Sequence, residues 1–351
     1  EIEECAFEGL ECAVGEFEWL PTVVKLRGGG AEGIGEDVVY DAVDHIGQQS
    51  HGPPAGLAHS GSFDEFSKKL DGIDLFPAGA PERGEVSQDY RRWAFESAAL
   101  DLALRQAGTN LSAALGREPR PVNFVSSLRL AGFSPEEKSS IKPVEERLAV
   151  YPTLRFKLDP VNDWDDELIA ALAATGAVDS LDLKGFYKGT PVDVVTDPEL
   201  YAKLIETFPD AWLEDPDVTD ETRPLLDPVH ERVTWDAPIH SIADIEAMPW
   251  SPPRTVNVKP SRFGPISRLF AAYDYCEEHG IGAYGGGQTE LGPGRGQIQY
   301  LASIFHPDTP NDTAPRGYND PAQATRPGLP TSPLEPSIDA LGFRWTGPQT
   351  A

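Results

Sequence analysis

The fold of this chain is decided between Thr153 and Glu290, where short apolar runs alternate with helical segments and each run leads into charged residues. The runs are TLRFKLD (153–159), VDSLDLKG (178–185), AWLEDP (211–216), RVTWDAP (232–238), TVNVKPSR (255–262) and GAYGGGQTELG (282–292). Successive runs begin about 20 to 30 residues apart, which is the length of one strand-and-helix unit of a β/α barrel. Because the carboxyl ends of barrel strands meet at one face, the charged residues that follow these runs are predicted to converge.

The segments between these runs have the apolar spacing of helices. They include DELIAALAATG, DPELYAKLIETF, HSIADIEAM, GPISRLFAAYDYCEEHG and RGQIQYLASIF (295–305). VNFVSSLRL (122–130) predicts the first barrel strand, and a helical segment with Pro135 near its start follows it. A chain of 351 residues is long enough for two domains or for one barrel with an attachment.

The region before the barrel predicts a small α+β domain of roughly 120 residues. Residues 1 to about 40 alternate apolar and polar positions, and Gly28, Gly29 and Gly30 interrupt them as a hairpin turn would. Residues 50–65 are predicted to form a loop because they are rich in Gly, Pro, Ser and His. Helical spacing extends from Asp89 to about Leu115 and ends at Gly116.

The charge balance argues against two classes of partner. The chain has 57 acidic and 29 basic side chains, a formal net charge of −28 and a pI near 4.5. Nucleic acids and anionic membranes both require a basic surface, so neither is expected to bind. Three cysteines form neither a disulfide framework nor a zinc motif, no apolar run is long enough for a membrane span, and EIEECAFEG does not have the form of a signal peptide. We therefore expect a cytoplasmic protein.

Asp182, Glu214 and Asp236 are predicted to form a cluster of carboxylates at neighbouring strand ends. Such a cluster is strained by mutual repulsion, and a divalent cation relieves it; Mg²⁺ suits two or three carboxylates with positions left for water or substrate. Lys157 and Lys259 are predicted to stand on opposite sides of that ion. This combination suits removal of a proton next to a carboxylate, because the cation and the ammonium groups stabilise the resulting enolate.

The order of these groups resembles the enolase superfamily, and within it the muconate cycloisomerase-like (muconate lactonizing enzyme) subgroup. RFK (155–157) takes the place of the family's K-x-K on barrel strand two, and LDLK takes the place of D-x-N on strand three. WLEDP and VTWDAPIHS resemble the segments that supply the second and third metal carboxylates. NVKPSRFG is close to the sixth-strand lysine motif, and GGGQTELGPGRG resembles the seventh-strand glycine-rich segment.

This resemblance implies a modified TIM barrel, (β/α)7β, with an N-terminal α+β capping domain. The implied domains are 1–120 for the capping domain, 121–328 for the barrel and 329–351 for a C-terminal segment that returns to the capping domain. It implies a Mg²⁺-dependent lyase or isomerase that acts on a small-molecule carboxylate and forms homo-oligomers. The implied site has Lys157 and Lys259 as catalytic residues, Asp182, Glu214 and Asp236 as metal ligands, and Arg155, Lys184 and Glu290 as substrate-binding residues.

The sequence departs from the family pattern at two points. Lys184 stands where the family usually has asparagine, on the same strand face as Asp182. It either weakens metal binding, replaces part of the metal's charge, binds a substrate carboxylate or phosphate, or pairs with Asp215 or another acid at the barrel mouth. Ala237 and Pro238 stand where an acid and a serine are expected.

Two hypotheses follow from these residues. The first is an enzyme that abstracts the proton α to a carboxylate through an enolate and acts as a racemase or epimerase, a cycloisomerase or a dehydratase. The alternative is a catalytically inactive homologue that acts as a binding or assembly protein, with Lys184 neutralising the carboxylates. Because Lys259 takes strand six and His279 precedes strand seven, a His/Asp dyad of the mandelate racemase type is not expected.

Overall fold

The alternating N-terminal sequence forms an antiparallel sheet in the computed structural model, which describes residues 1–14, 17–131 and 137–348. Its strands are β1 (Glu4–Gly9), β2 (Cys12–Val14), β3 (Phe17–Trp19), β4 (Thr22–Gly28) and β5 (Ala31–Asp37). The sheet has the order β1–β4–β5, and β2 pairs with β3 as a separate hairpin. Gly29 and Gly30 form the turn between β4 and β5 at positive φ, as the glycine run predicts.

Four helices complete the N-terminal domain: α1 (Ala42–His51), α2 (Phe63–Leu70), α3 (Glu85–Gln106) and α4 (Leu111–Leu115). The loop prediction for residues 50–65 is therefore wrong at both ends, where α1 ends and α2 begins. The missed evidence for α2 is a capping box, in which Ser62 and Glu65 satisfy each other's backbone N–H groups. The helix predicted from Asp89 to Leu115 is interrupted at Gly108, which has a φ of 68°.

Helix α3 packs very closely against β5. A Cβ atom on Gly33 would lie 2.1 Å from the carbonyl oxygen of Ala98, and one on Gly35 would lie 2.2 Å from that of Ala94. These two glycines therefore permit the backbones of sheet and helix to approach each other. Asp101 on α3 is fully buried and accepts hydrogen bonds from the backbone N–H of Ile34 at 2.9 Å and from that of Phe343 at 2.7 Å.

The apolar runs of the second part of the chain form seven parallel strands in sequential order. They are β6 (Ser126–Arg129), β7 (Phe156–Asp159), β8 (Val178–Asp182), β9 (Trp212–Glu214), β10 (Val233–Trp235), β11 (Thr255–Val258) and β12 (Gly282–Gly285). The sheet is curled, and its connections carry α5 (Lys142–Val150), α6 (Asp166–Thr175), α7 (Pro198–Thr207), α8 (Arg223–Leu226), α9 (Ile242–Ala247), α10 (Pro260–Phe263) and α11 (Ile266–His279). After β12 come α12 (Pro293–Phe305) and α13 (Pro321–Ala324). The predicted fold class is confirmed; Pro135 lies outside the described residues.

Residues 311–312 take the place of an eighth strand. Asn311 forms a parallel bridge with Phe124 ahead of β6, and Asp312 forms a parallel bridge with Gly286 after β12. The N–H of Val125 donates to the carbonyl of Asn311 at 2.9 Å, and the N–H of Asp312 donates to that of Gly285 at 2.8 Å. These two residues therefore join the first and last strands of the curled sheet.

The C-terminal segment contacts α3. Phe343 lies edge-on to Trp93 at 6.3 Å between ring centroids, and Arg105 forms an ion pair with Asp339 at 3.2 Å. The Arg344 guanidinium donates to Asp101 at 2.8 Å. None of the helices in the described ranges has the length and apolar composition needed to cross a bilayer.

Candidate active site

Lys157 lies at the centre of a charged cluster inside the barrel mouth. It is the second residue of β7 and only 3% exposed, and its ammonium contacts Glu214 on β9. The same nitrogen lies 3.2 Å from Asp182 at the end of β8 and 3.6 Å from Asp312. Asp312 belongs to residues 311–312, the closing segment that joins the first and last strands of the sheet. Strand register places these groups together, because Asp182 pairs with Glu214 across neighbouring strands. One ammonium group thus faces carboxylates from β8, from β9 and from residues 311–312.

Three carboxylates of this cluster converge on one point. Oxygen atoms of Asp182, Glu214 and Asp215 lie within 4.8 Å of one another, and all three residues are fully buried. The Tyr284 hydroxyl donates to Glu214 at 2.5 Å. Asp215 was not predicted as a site residue. It follows β9 at a φ of 48°, and its carboxylate accepts the backbone N–H groups of Asp236 and Ala237 at 2.8 Å each.

Asp236 and Lys259 form a second charged pair beside this triad. The Lys259 ammonium lies 2.8 Å from Asp236, and the Arg262 guanidinium lies 2.9 Å from the other oxygen of the same carboxylate. All three side chains are almost fully buried. Asp236 therefore remains close to the predicted metal ligands, but two cations hold its carboxylate.

The pKa directions show how burial and neighbouring charges act on each group of the cluster. Burial raises the pKa of Glu214 well above its usual range, and burial with Asp236 and Asp182 raises the pKa of Asp215 to about 7. Burial alone would raise the pKa of Asp182, but Lys184 and Lys157 lower it. Burial likewise opposes the charge on Lys157, yet Glu214 and Asp182 raise its pKa well above the ordinary value. Lys157 is therefore protonated in this arrangement.

The donor set fits a divalent cation. In the part of the chain that the structure describes, six carboxylates of the cluster face four cations, a formal excess of two negative charges when every group is ionised. The carboxylates are Asp159, Asp182, Glu214, Asp215, Asp236 and Asp312, and the cations are Lys157, Lys184, Lys259 and Arg262. Oxygen donors and this excess of charge are what Mg²⁺ requires.

The three predicted substrate-binding residues lie in different surroundings. Lys184 contacts Asp182 at 2.5 Å and Asp159 at 3.3 Å, so it belongs to the cluster. Arg155 does not belong to the cluster. It immediately precedes β7, and its guanidinium contacts Asp179 and the carbonyl of Gly176. Glu290 is buried beyond β12, 3.7 Å from Arg295, and accepts the N–H of Gln288 at 2.9 Å.

The wall beside Lys259 is built by the glycine-rich segment after β12. A Cβ atom on Gly286 would lie 2.7 Å from Cε of Lys259 and 2.9 Å from the side-chain nitrogen of Asn257. This segment is held against the N-terminal domain by Gln288, whose amide nitrogen donates to the Tyr90 hydroxyl at 3.1 Å and whose oxygen accepts the Tyr40 hydroxyl. Both domains therefore determine the position of this wall.

Glu36 is a second link between the N-terminal domain and that segment. It is fully buried at the end of β5, and its carboxylate accepts the backbone N–H groups of Leu291 at 2.6 Å, Gly292 at 3.0 Å and Gly294 at 2.8 Å. These donors lie at the start of α12, where unpaired N–H groups and the helix dipole favour a negative charge. Burial and the nearby Glu290 raise the pKa of Glu36 to about 7.

Sequence reasoning missed several members of the cluster. Asp159 and Asp215 directly follow predicted strand residues, and Arg262 stands three residues after Lys259 in KPSR. Their positions beside predicted strand residues were visible in the sequence, but the inward direction of Asp215 was not. Asp312 was not visible either, because its place in the ring depends on a segment without strand periodicity.

Comparison with known proteins gives a family and a fold. A family model described as Domain of unknown function (DUF8230) C-terminal domain matches residues 118–320, and its N-terminal counterpart matches residues 1–114. Among curated proteins, the o-succinylbenzoate synthase of Bacillus subtilis (strain 168) is 26% identical over 223 residues, 62% of this chain and 57% of that protein. That of Geobacillus kaustophilus is 26% identical over 259 residues, 71% of this chain and 64% of that protein. The matches thus span less than two thirds of either relative.

Solved structures share the whole fold at low sequence identity. An enolase superfamily member from Listeria innocua is 16% identical with a TM-score of 0.66, covering 97% of this chain and 92% of its own. Dipeptide epimerase from Methylococcus capsulatus, solved with a Mg ion, is 17% identical with a TM-score of 0.66 and 88% of both chains covered. Muconate lactonizing enzyme from Pseudomonas putida is 16% identical with a TM-score of 0.61, and the match covers 89% of this chain and 87% of that enzyme. The predicted resemblance to the enolase superfamily is confirmed by this fold.

Proposed function

The chain belongs to the family described as Domain of unknown function (DUF8230) and has the fold of the enolase superfamily, and from this premise we propose that it abstracts the proton α to a carboxylate with the help of a divalent metal ion. The observation that carries the proposal is the convergence of Asp182, Glu214 and Asp215 beside the buried Lys157, whose ammonium lies 3.2 Å from Asp182. The curated relatives are named for o-succinylbenzoate synthesis, and structural neighbours for epimerisation and lactonisation. The proposal covers racemases or epimerases, cycloisomerases and dehydratases.

Asp182 and Glu214 are the proposed metal ligands, and Asp215 or Asp236 completes the set. Asp215 lies within the same group of oxygens, whereas Asp236 is the ligand that the sequence predicts. A bound Mg²⁺ supplies positive charge that stabilises an enolate and polarises the substrate carboxylate. The raised pKa values of Glu214 and Asp215 support a dication, because burial and neighbouring carboxylates oppose the ionised form of both groups and a bound cation would favour it.

Lys157 and Lys259 are the proposed acid and base. They lie on β7 and directly after β11, the second and sixth strands of the sequential sheet, so each can reach a different face of a bound substrate. One lysine takes the proton from the α-carbon as a neutral amine, and the substrate becomes an enolate. The other lysine, as an ammonium, returns a proton or assists the leaving group. Because the pKa of Lys157 is raised by Glu214 and Asp182 despite burial, Lys157 suits the ammonium role.

Exchange of the α-proton with solvent tests this proposal without knowledge of the final product. We expect the folded protein with Mg²⁺ in ²H₂O to incorporate deuterium at the α-carbon of at least one acid in a panel of amino-acid derivatives, aryl acetates and sugar acids. Lys259→Ala should lose about a hundredfold or more of that rate, since general acid–base groups contribute about 10² to 10⁴. Lys188→Ala is the matched control, because Lys188 is exposed and pairs with Asp217 at 3.1 Å outside the cluster. Equal exchange by wild type and Lys259→Ala would refute the assignment.

The alternative is a non-catalytic binding or assembly protein. Two observations favour it: Lys184 and Lys157 already neutralise Asp182, and backbone N–H groups already donate to both oxygens of Asp215. Calorimetric titration with Mg²⁺ separates the two functions. A saturable site supports the enzyme, and absence of binding at neutral pH supports the alternative.

A further inference from the structure

Lys184 occupies an unusual place next to the proposed metal ligands. Its backbone has a φ of 55°, and its backbone N–H and its ammonium both reach the same carboxylate, that of Asp182, at 3.2 Å and 2.5 Å. The ammonium also lies over the Tyr187 ring, 5.0 Å from its centroid. The side chain is 12% exposed. Lys184 therefore places a positive charge on the carboxylate of a proposed metal ligand.

Asp159 offers the same ammonium a second position. One of its oxygens lies 3.3 Å from the Lys184 nitrogen. Its other oxygen is buried and has no hydrogen-bond partner among the described residues. A buried carboxylate oxygen without a partner is costly, so it favours a donor that moves toward it. Asp159 is the last residue of β7, and the residue before it, Leu158, pairs with Leu181, which precedes Asp182 on β8, so a small movement of the lysine side chain is enough to change partner.

We infer that Lys184 is a tethered cation that holds Asp182 in the metal-free protein and transfers to Asp159 when a divalent ion binds, an inference that rests on the proposed function. In the metal-free state the ammonium supplies charge that the carboxylates require. In the metal-bound state Asp159 retains the ammonium, and the metal ion replaces it on Asp182. Metal binding therefore competes with an internal ion pair, and the affinity is set by the difference between the two positions of Lys184.

Calorimetric titration of Mg²⁺ into purified protein, with Mn²⁺ and its EPR spectrum as a second probe, tests the inference. Lys184→Asn removes the charge and keeps a residue that tolerates positive φ. We expect Mg²⁺ to bind this variant at least tenfold more tightly than wild type, about 1.4 kcal/mol. Lys188→Asn is the control, because it removes one positive charge from the same loop without contact to the cluster; its affinity should stay within twofold of wild type.

Asp159→Asn tests the second position independently. It should weaken Mg²⁺ binding about threefold or more in the wild-type background, because the ammonium then stays on Asp182, but much less in the Lys184→Asn background. If Lys184→Asn does not fold, Lys184→Gln and Asp159→Asn still decide the matter. Wild-type binding that Lys184→Asn leaves unchanged or weakens would overturn the inference alone. Failure of wild type and all folded variants to bind either metal would overturn the inference and the metal-dependent function together.

Discussion

At Gly286 the barrel wall leaves no space for a side chain. The hydrogen on its Cα faces Cε of Lys259 and the amide of Asn257, and any Cβ would overlap both. Asn257 is fully buried, and neither atom of its amide has a hydrogen-bond partner within the described ranges. The easiest relief for added volume is therefore displacement of the flexible end of Lys259. This makes a glycine the residue that fixes the position of a proposed catalytic group.

We expect Gly286→Ala to lower the rate of α-deuterium exchange about tenfold to a hundredfold, because a misplacement of about 1 Å has effects of that size. Its melting temperature should change far less than its rate. Gly72→Ala is the control: its Cβ would lie 3.7 Å from the carbonyl oxygen of Lys69, an ordinary contact. Full exchange activity in Gly286→Ala would show that Lys259 is not held by this wall.

Residue identities in the cluster were partly predictable. Five charged residues after predicted strands, Lys157, Asp182, Glu214, Asp236 and Lys259, lie in one buried region. Arg155 belongs to another environment because it precedes its strand and meets Asp179. Asp215 could not be distinguished from a surface acid, because its inward direction depends on a left-handed backbone conformation that the sequence does not specify.

The closing segment is held by a buried histidine. Asn311 donates its amide to the carbonyls of Asn123, His306 and Thr309, so its oxygen is the acceptor for the Nδ1–H of His306 at 2.7 Å. The Tyr273 hydroxyl then donates to Nε2 at 3.2 Å. His306 is therefore neutral, and burial lowers its pKa to about 4. The join between first and last strands depends on an uncharged imidazole.

This geometry predicts loss of stability in acid. The unfolded chain binds the proton with a pKa near 6.5 and the folded chain only near 4, so the stabilisation is present above about pH 6.5 and is lost as pH falls toward 4. The difference amounts to about 3 kcal/mol. Urea unfolding at pH 7.5 and at pH 4.5 should show a smaller pH dependence for His306→Gln than for wild type. Parallel losses in the two proteins would contradict this role.

Elements were predictable where periodicity was strong. The seven parallel strands and the helices at α6, α7, α11 and α12 follow from their apolar spacing. The closing residues 311–312 are too short for a period-two pattern, and their position is set by bridges to distant strands. Helices α1 and α2 were missed because glycine, proline and histidine between them dominated the composition, although the capping box at Ser62 marked one start.

The two parts of the chain are joined through Glu36. Glutamine at this position has one acceptor oxygen in place of two. Its amide NH2, itself a donor, would therefore face N–H donors at the start of α12. We expect Glu36→Gln to lose about 1 to 3 kcal/mol of stability at pH 8, the cost of an unsatisfied buried donor. Amide hydrogen exchange should also accelerate in residues 286–294.

Glu32→Gln is the control for this prediction. Glu32 lies on the same strand, and its ion pair with Arg27 is largely solvent-exposed, so its loss should cost less than about 1 kcal/mol. Equal effects of the two substitutions, or unchanged exchange in residues 286–294, would contradict a joining role for Glu36.

At the scale of the molecule, the sequence predicted a capped barrel because the strand-end motifs occurred in the family's order. The boundaries 1–120, 121–328 and 329–351, the homo-oligomer and the cytoplasmic location stay predictions. The contact between Tyr40 and Gln288 could not be predicted, because it joins residues 248 positions apart.

The burial of Asp101 has a consequence for synthesis. Its guanidinium partner, Arg344, and the N–H of Phe343 are translated more than 240 residues later. While the barrel is still being translated, the Asp101 carboxylate therefore has the N–H of Ile34 but lacks the two partners that Phe343 and Arg344 supply. Its final packing is a late event, completed only after Phe343 and Arg344 have been synthesised.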